Sequence, residues 1–108
     1  MLYHLVTKPI QPDAAGDYRP ESLEAEGFIH LAYAHQVAWV ANQFLSTVPF
    51  LWVAEIDPNR VAGDIRAEDP GVGEKFPHLY APLPYGAIRR LIPMTKTEGG
   101  LWDFHPQG

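Results

Sequence analysis

The chain contains no cysteine. That excludes disulfides, thiolate zinc sites and a cysteine nucleophile together, and it fits a reducing compartment. Basic residues are few: 8 Lys and Arg stand against 13 Asp and Glu, for a formal net charge of -5. Nucleic-acid backbones are held mainly by clustered Lys and Arg, so no extended nucleic acid is expected as a partner. Long apolar runs are missing too, and nothing approaches the ~20 residues of a membrane span. The first residues, Met1-Leu2-Tyr3-His4, lack the basic start and apolar core of a signal peptide. The expectation is a soluble cytoplasmic protein with no membrane partner.

What remains is ordinary for one globular domain. The chain has 108 residues, 46% hydrophobic and 19% charged. A chain of this size buries roughly 60–70% of its unfolded surface, enough for a real core. The single domain is expected over 1–98, with 99–108 as a C-terminal tail carrying Trp102, Phe104 and His105.

Eleven prolines and nine glycines cut the sequence into short pieces. Tyr3 to Thr7 and Phe28 to Leu31 read as strands, rich in aromatic and β-branched residues. Val37, Val40, Ala41, Phe44, Leu45 and Val48 recur at helical spacing, which predicts one main helix closed by Pro49. At that phase Trp39 is expected to pack. Phe50 to Ile56 reads as a buried strand. The turn Asp57-Pro58-Asn59 then predicts a hairpin to Val61–Ala67. Asp69 to Glu74 is a loop. Phe76 to Pro84 is extended and only partly in a ladder because of its prolines. Ile88 to Met94 is a last strand. The sum is an α+β fold with a mostly antiparallel sheet of about five or six strands and one helix.

Chemistry centres on histidine, of which there are five. His4 and His30 sit inside expected strands between apolar neighbours, so each ring faces opposite to those neighbours. Two such strands side by side would put both rings on one face. His78 lies in Phe76-Pro77-His78-Leu79-Tyr80, just after the loop. A neutral imidazole offers one donor and one acceptor, which suits proton transfer or a grip on a sugar hydroxyl. The competing reading is that each ring is bonded to a backbone carbonyl and is structural. Three histidines can also hold zinc with an open position for water. The spacing 4, 30, 78 holds no close pair, and no metal ligands are assigned.

Glu68, Asp69 and Glu74 bracket the loop and supply candidate acids. Glu55, in the buried strand, must be paired if it points inward, and Arg60 or Arg66 across the hairpin is the expected partner. Arg89-Arg90 is too small for a nucleic-acid patch, though either arginine suits one phosphate. Gly71-Val72-Gly73 lacks the strand-to-helix setting of a dinucleotide fingerprint. Ser22 and Ser46 have no histidine nearby in sequence.

Several blocks together resemble a family of small bacterial proteins known as domain of unknown function 952. They are Tyr3-His4-Leu5-Val6-Thr7, Tyr18-Arg19-Pro20 with Ser22-Leu23, Glu26-Gly27-Phe28-Ile29-His30, Glu55-Ile56-Asp57, Glu68-Asp69-Pro70 and Phe76 to Pro84. The resemblance runs from residue 1 to about 94. It implies a fold similar to the ADP-ribosyltransferases, a split-sheet α+β domain that binds NAD. Carried over by position, His4 is the first-strand residue that bonds a ribose and His30 the second-strand residue. Glu74 is the late acid beside the oxocarbenium-like transition state, with Glu68 or His78 as substitutes. Arg19 would hold phosphate and Tyr80 would stack or donate a bond. The resemblance thus implies a nucleotide-like small ligand, with NAD as a substrate rather than a required cofactor. The reaction it implies is ADP-ribosyl transfer or glycosidic cleavage. The alternatives are a non-catalytic module for a small molecule or protein, and a histidine-held metal hydrolase.

Overall fold

The computed structural model describes residues 1–106. In chain order the elements are β1 (Leu2–Val6), β2 (Asp17–Tyr18), α1 (Glu21–Glu26), β3 (Ile29–His30), α2 (Val37–Phe44), β4 (Trp52–Ile56), β5 (Ile65–Glu68), β6 (Phe76–Leu79), β7 (Leu83–Pro84), β8 (Ile88–Pro93), β9 (Thr95–Lys96) and β10 (Trp102–Asp103). The α+β class and the antiparallel pairing are as expected, with α2 the main helix. The strands, however, do not form one sheet. β1-β4-β8 make one three-stranded sheet and β3-β6-β5 a second, and β2–β7 and β9–β10 are two short pairs.

The two larger sheets are stitched at one point. Tyr3 N–H donates to the Ala32 carbonyl at 2.9 Å, and Ala32 N–H donates back at 2.8 Å. The seam places β1 beside the chain leaving β3. Each side of it has its own apolar cluster. Tyr3, Val37, Ala41, Val53, Ile92 and Trp102 pack together in one. Leu2, Ile29, Ile56, Leu79 and Leu83 pack in the other.

Several local expectations are corrected. The chain after β4 does not turn back on it. Asp57 caps a short 3-10 turn, Pro58–Arg60, by accepting from Asn59 N–H, and β5 then pairs with β6 instead. The neighbours of β4 are β1 and β8. Glu55 is accordingly partnered by neither Arg60 nor Arg66 but by Arg90 on β8, whose Nε lies 3.2 Å from its carboxylate. Arg60 pairs loosely with Asp57 and Arg66 with Asp64. The main helix stops at Phe44, before the apolar stripe runs out.

Helix α1 was not foreseen. Its signals are plain in retrospect: Pro20 before it, Glu21 and Glu24 in its first turn, and Gly27 after it at φ 88°. A glycine in that left-handed conformation closes a helix without a Cβ clash. The closure hands the chain to β3 and sets the phase of Phe28 and His30. In the C-terminal segment Trp102 is buried in the first cluster. Of the expected tail, residues 107 and 108 lie outside the described residues.

Candidate functional site

Strand alternation sorts the second sheet into two faces. Ile29, Leu79 and the half-buried Ile65 belong to the second apolar cluster. The residues between them carry the chemistry. His30 stands opposite His78 across β3–β6, and Arg66 stands opposite His78 across β5–β6. Phe28, just before β3, stacks on the His78 ring with centroids 4.1 Å apart. The His30 ring meets His78 edge-on at 5.5 Å.

Each of these two imidazoles is braced by a carboxylate. The His78 Nδ1–H donates to Glu68 Oε1 at 3.1 Å, and the Tyr80 hydroxyl donates to the same oxygen. His30 Nε2–H donates to Glu26 at 2.9 Å. The Tyr80 hydroxyl, and next the His78 ring, hold the Glu68 carboxyl below the usual carboxylate range. The same bond to Glu68 raises Tyr80. The Arg66 guanidinium lies over the Tyr80 ring, 4.2 Å from its centroid.

A cavity of about 410 Å³ opens against this face. His4, His30 and His78 contribute to its lining. Trp39, Val40 and Phe44 of α2, Pro70 and Val72 of the loop, and Phe76 form apolar walls. Trp39 is 43% exposed and does not pack into the core as expected. A second hollow of about 330 Å³, between Phe50, Trp52, Met94 and Trp102, has Lys96 as its one ionisable lining residue.

The expected site residues therefore separate. His30, His78, Glu68 and Tyr80 are brought together. His4 reaches the cavity, but its ring is committed: Nδ1–H donates to the His30 carbonyl at 2.7 Å, and Nε2 lies 3.3 Å from the Tyr18 hydroxyl. It matches the structural reading and fixes β1 against β3. Arg19 is not at the cavity; it is exposed and donates to Asp13 at 3.0 Å. Glu74 is not beside the histidines at the cavity floor either. It accepts from the Gln36 amide and stands 3.4 Å from His35. Glu68 is the acid the fold places beside His78 and Tyr80. Among the described residues no group of three His, Cys, Asp or Glu is placed to hold a metal ion. No helix is long and apolar enough to cross a membrane.

Sequence reasoning missed Phe28, Arg66 and Glu26. The signal for the first two was period-two alternation. Phe28 and His30, Arg66 and Glu68, and Phe76, His78 and Tyr80 are each two apart, with mostly apolar residues between.

Burial pushes His4 below the ordinary imidazole value of 6.5, outweighing the lift from its carbonyl bond. The unfolded ring then takes a proton before the native one does. Stability from this group is complete above about pH 6.5 and is lost as pH falls toward the native value, by at most about 1.4 kcal/mol per pH unit. Urea unfolding of the native chain is expected to show a loss as pH falls below about 6.5. A His4→Asn variant is expected to flatten that slope, and equal slopes in both would contradict the assignment.

Residues 7–91 match the family model described as protein of unknown function (DUF952). No curated protein matches the chain. Two crystal structures of protein CC0527 from Caulobacter crescentus, one of a double-methionine variant, are similar in fold. Both are 23% identical, with TM-scores of 0.78 and, for the variant, 0.77, over 94% of this chain and 92% of theirs.

Proposed function

This chain belongs to the family of proteins of unknown function DUF952, and from that premise we propose that its cavity binds NAD or an ADP-ribose-like nucleotide. The observation that carries the reading is the pair of carboxylate-braced imidazoles facing one cavity, with an arginine beside them on the same sheet face. A nucleotide has three chemically distinct parts, and the site offers a surface for each. Apolar walls at Trp39, Phe44 and Phe76 suit a planar ring. His30 suits a ribose hydroxyl, because its ring keeps one nitrogen outside its carboxylate bond, and His78 keeps one nitrogen free beside it. Arg66, rather than Arg19, is the cation on the histidine face of the sheet, and it is the phosphate partner on this reading. The cavity volume falls within the ~300–1,000 Å³ of small-molecule sites.

On this reading the two abutting sheets correspond to the split sheet of the ADP-ribosyltransferases. The reaction is cleavage of the nicotinamide–ribose bond, which the site promotes by orienting it.

Calorimetric titration of the full chain with NAD and with ADP-ribose tests the proposal. Saturable heat with one ligand per chain is expected. Arg66→Ala is expected to weaken ADP-ribose about tenfold, the effect of one lost charge-assisted bond of about 1.4 kcal/mol. Absence of heat from both nucleotides would remove the reading.

A further inference from the structure

The bond between Glu68 and His78 determines more than the position of a side chain. The Glu68 oxygen accepts from both His78 Nδ1–H and the Tyr80 hydroxyl. A carboxylate so occupied fixes the ring as its Nδ1–H tautomer and leaves Nε2 with a free lone pair. Among the described residues Nε2 has no hydrogen-bond partner, and no side-chain nitrogen or oxygen there is both sealed from solvent and unpartnered. The ring itself is 96% buried, since its side chain is 4% exposed. Phe28 stacked on one face and the edge of His30 beside it restrict its rotation. An oriented imidazole with one open nitrogen at a cavity is the arrangement of a general base.

We propose that His78 Nε2 is the general base that activates the acceptor, that Glu68 is its positioning residue, and that the acceptor is water. The proposal rests on the nucleotide reading above and deepens it. Water gives a proton to Nε2 as its oxygen attacks C1′ of the nicotinamide riboside. The C1′–N bond breaks, and its electron pair leaves with neutral nicotinamide. The products are ADP-ribose and nicotinamide, and the proton returns to solvent from the ring. No oxidant, reductant or metal enters the balance. A small acceptor fits the place: the open nitrogen belongs to a buried ring at the cavity lining.

The test uses the full chain, NAD as substrate and ADP-ribose as a binding probe. Equal amounts of nicotinamide and ADP-ribose are expected in buffer without another acceptor. His78→Asn keeps a donor toward Glu68 and removes the base. It is expected to lower kcat by ~100-fold or more, the usual contribution of a general base, a loss far larger than any change in ADP-ribose affinity. Glu68→Gln is expected to lower kcat less. KM should stay within about threefold, because Glu68 orients the base and does not touch the substrate. A merely structural Glu68 would show in the urea midpoint and leave the kcat of the folded molecules unchanged.

ADP-ribose binding without NAD cleavage would overturn the base and leave the binding reading standing. No binding of either nucleotide would remove both. Cleavage that survives in His78→Asn at a third of the native kcat or more would overturn the base alone. Should His78→Asn fail to fold, Glu68→Gln decides: an unchanged kcat would overturn the proposal.

Discussion

Trp102→Ala is expected to cost about 3–5 kcal/mol of stability, the range for deleting a buried tryptophan. Such a loss is a large part of the ~5–15 kcal/mol that holds a domain folded. The ring is 5% exposed and packs with Val37, Ala41 and Leu51. Its Nε1–H donates to the Leu45 carbonyl at 2.9 Å, just past the end of α2. The backbone beside it exchanges two bonds with the Asn42 side chain, at 2.7 and 3.1 Å. Helix α2 spans only eight residues, too few to stand alone. Its stability comes from what packs on it, and Trp102 closes its C-terminal end. Trp39, Val40 and Phe44 on the same helix wall the cavity, so the substitution is also expected to weaken nucleotide binding. Trp102→Phe, which keeps an aromatic ring and loses the Nε1–H bond, is expected to cost about 1–2 kcal/mol. Urea unfolding measures both. A loss below about 1 kcal/mol for the alanine variant would show that the C-terminal segment is dispensable to the core.

Leu79→Ala is expected to cost about 2–5 kcal/mol. Leu79 is fully buried. It stands opposite Ile29 on one side and Ile65 on the other, at the centre of the second sheet. The next residue along β6, His78, points to the other face and into the cavity lining. Neighbouring positions on one strand should therefore fail differently. Leu79→Ala lowers the urea midpoint and spares ligand affinity in the molecules still folded. His78→Asn strikes turnover in the molecules that fold. A Leu79→Ala loss under about 1 kcal/mol would contradict the placement of the second apolar cluster under the histidine face.

Much of the fold is legible wherever local chemistry decides the outcome. Strands β1, β4 and β8 follow from their apolar and β-branched runs, and α2 from its 3.6-residue period. Pairing is a different problem, because the partner of a strand is set by distant chain. The turn at Asp57-Pro58-Asn59 is real, but it caps a 3-10 turn instead of closing a hairpin. The error spread from there. Misplacing β5 beside β4 assigned Glu55 to Arg60 or Arg66, whereas the strand beside it brings Arg90.

The site shows the same division. Alternation correctly set the His30 side chain apart from Ile29, and that part needed only a period of two. The choice of its neighbour ring did not follow. His78 faces it across β3–β6, while His4 in β1 spends its Nδ1–H on the His30 carbonyl. Arg19 had no visible partner in sequence; Asp13, which also accepts from Ala15 and Asp17, takes it up. Glu74 and Glu68 were both available acids. Only the β5–β6 register settles that Glu68 lies beside His78 and Tyr80, while Gln36 claims Glu74.

The most direct measurement is a titration of the ¹⁵N-imidazole resonances of the full chain with ADP-ribose. The expected result is large, saturable shifts at the free nitrogens of His30 and His78, with His35 and His105 unmoved. Shifts confined to His35 or His105, or none at all as ligand is added, would contradict a nucleotide seated on the paired histidines.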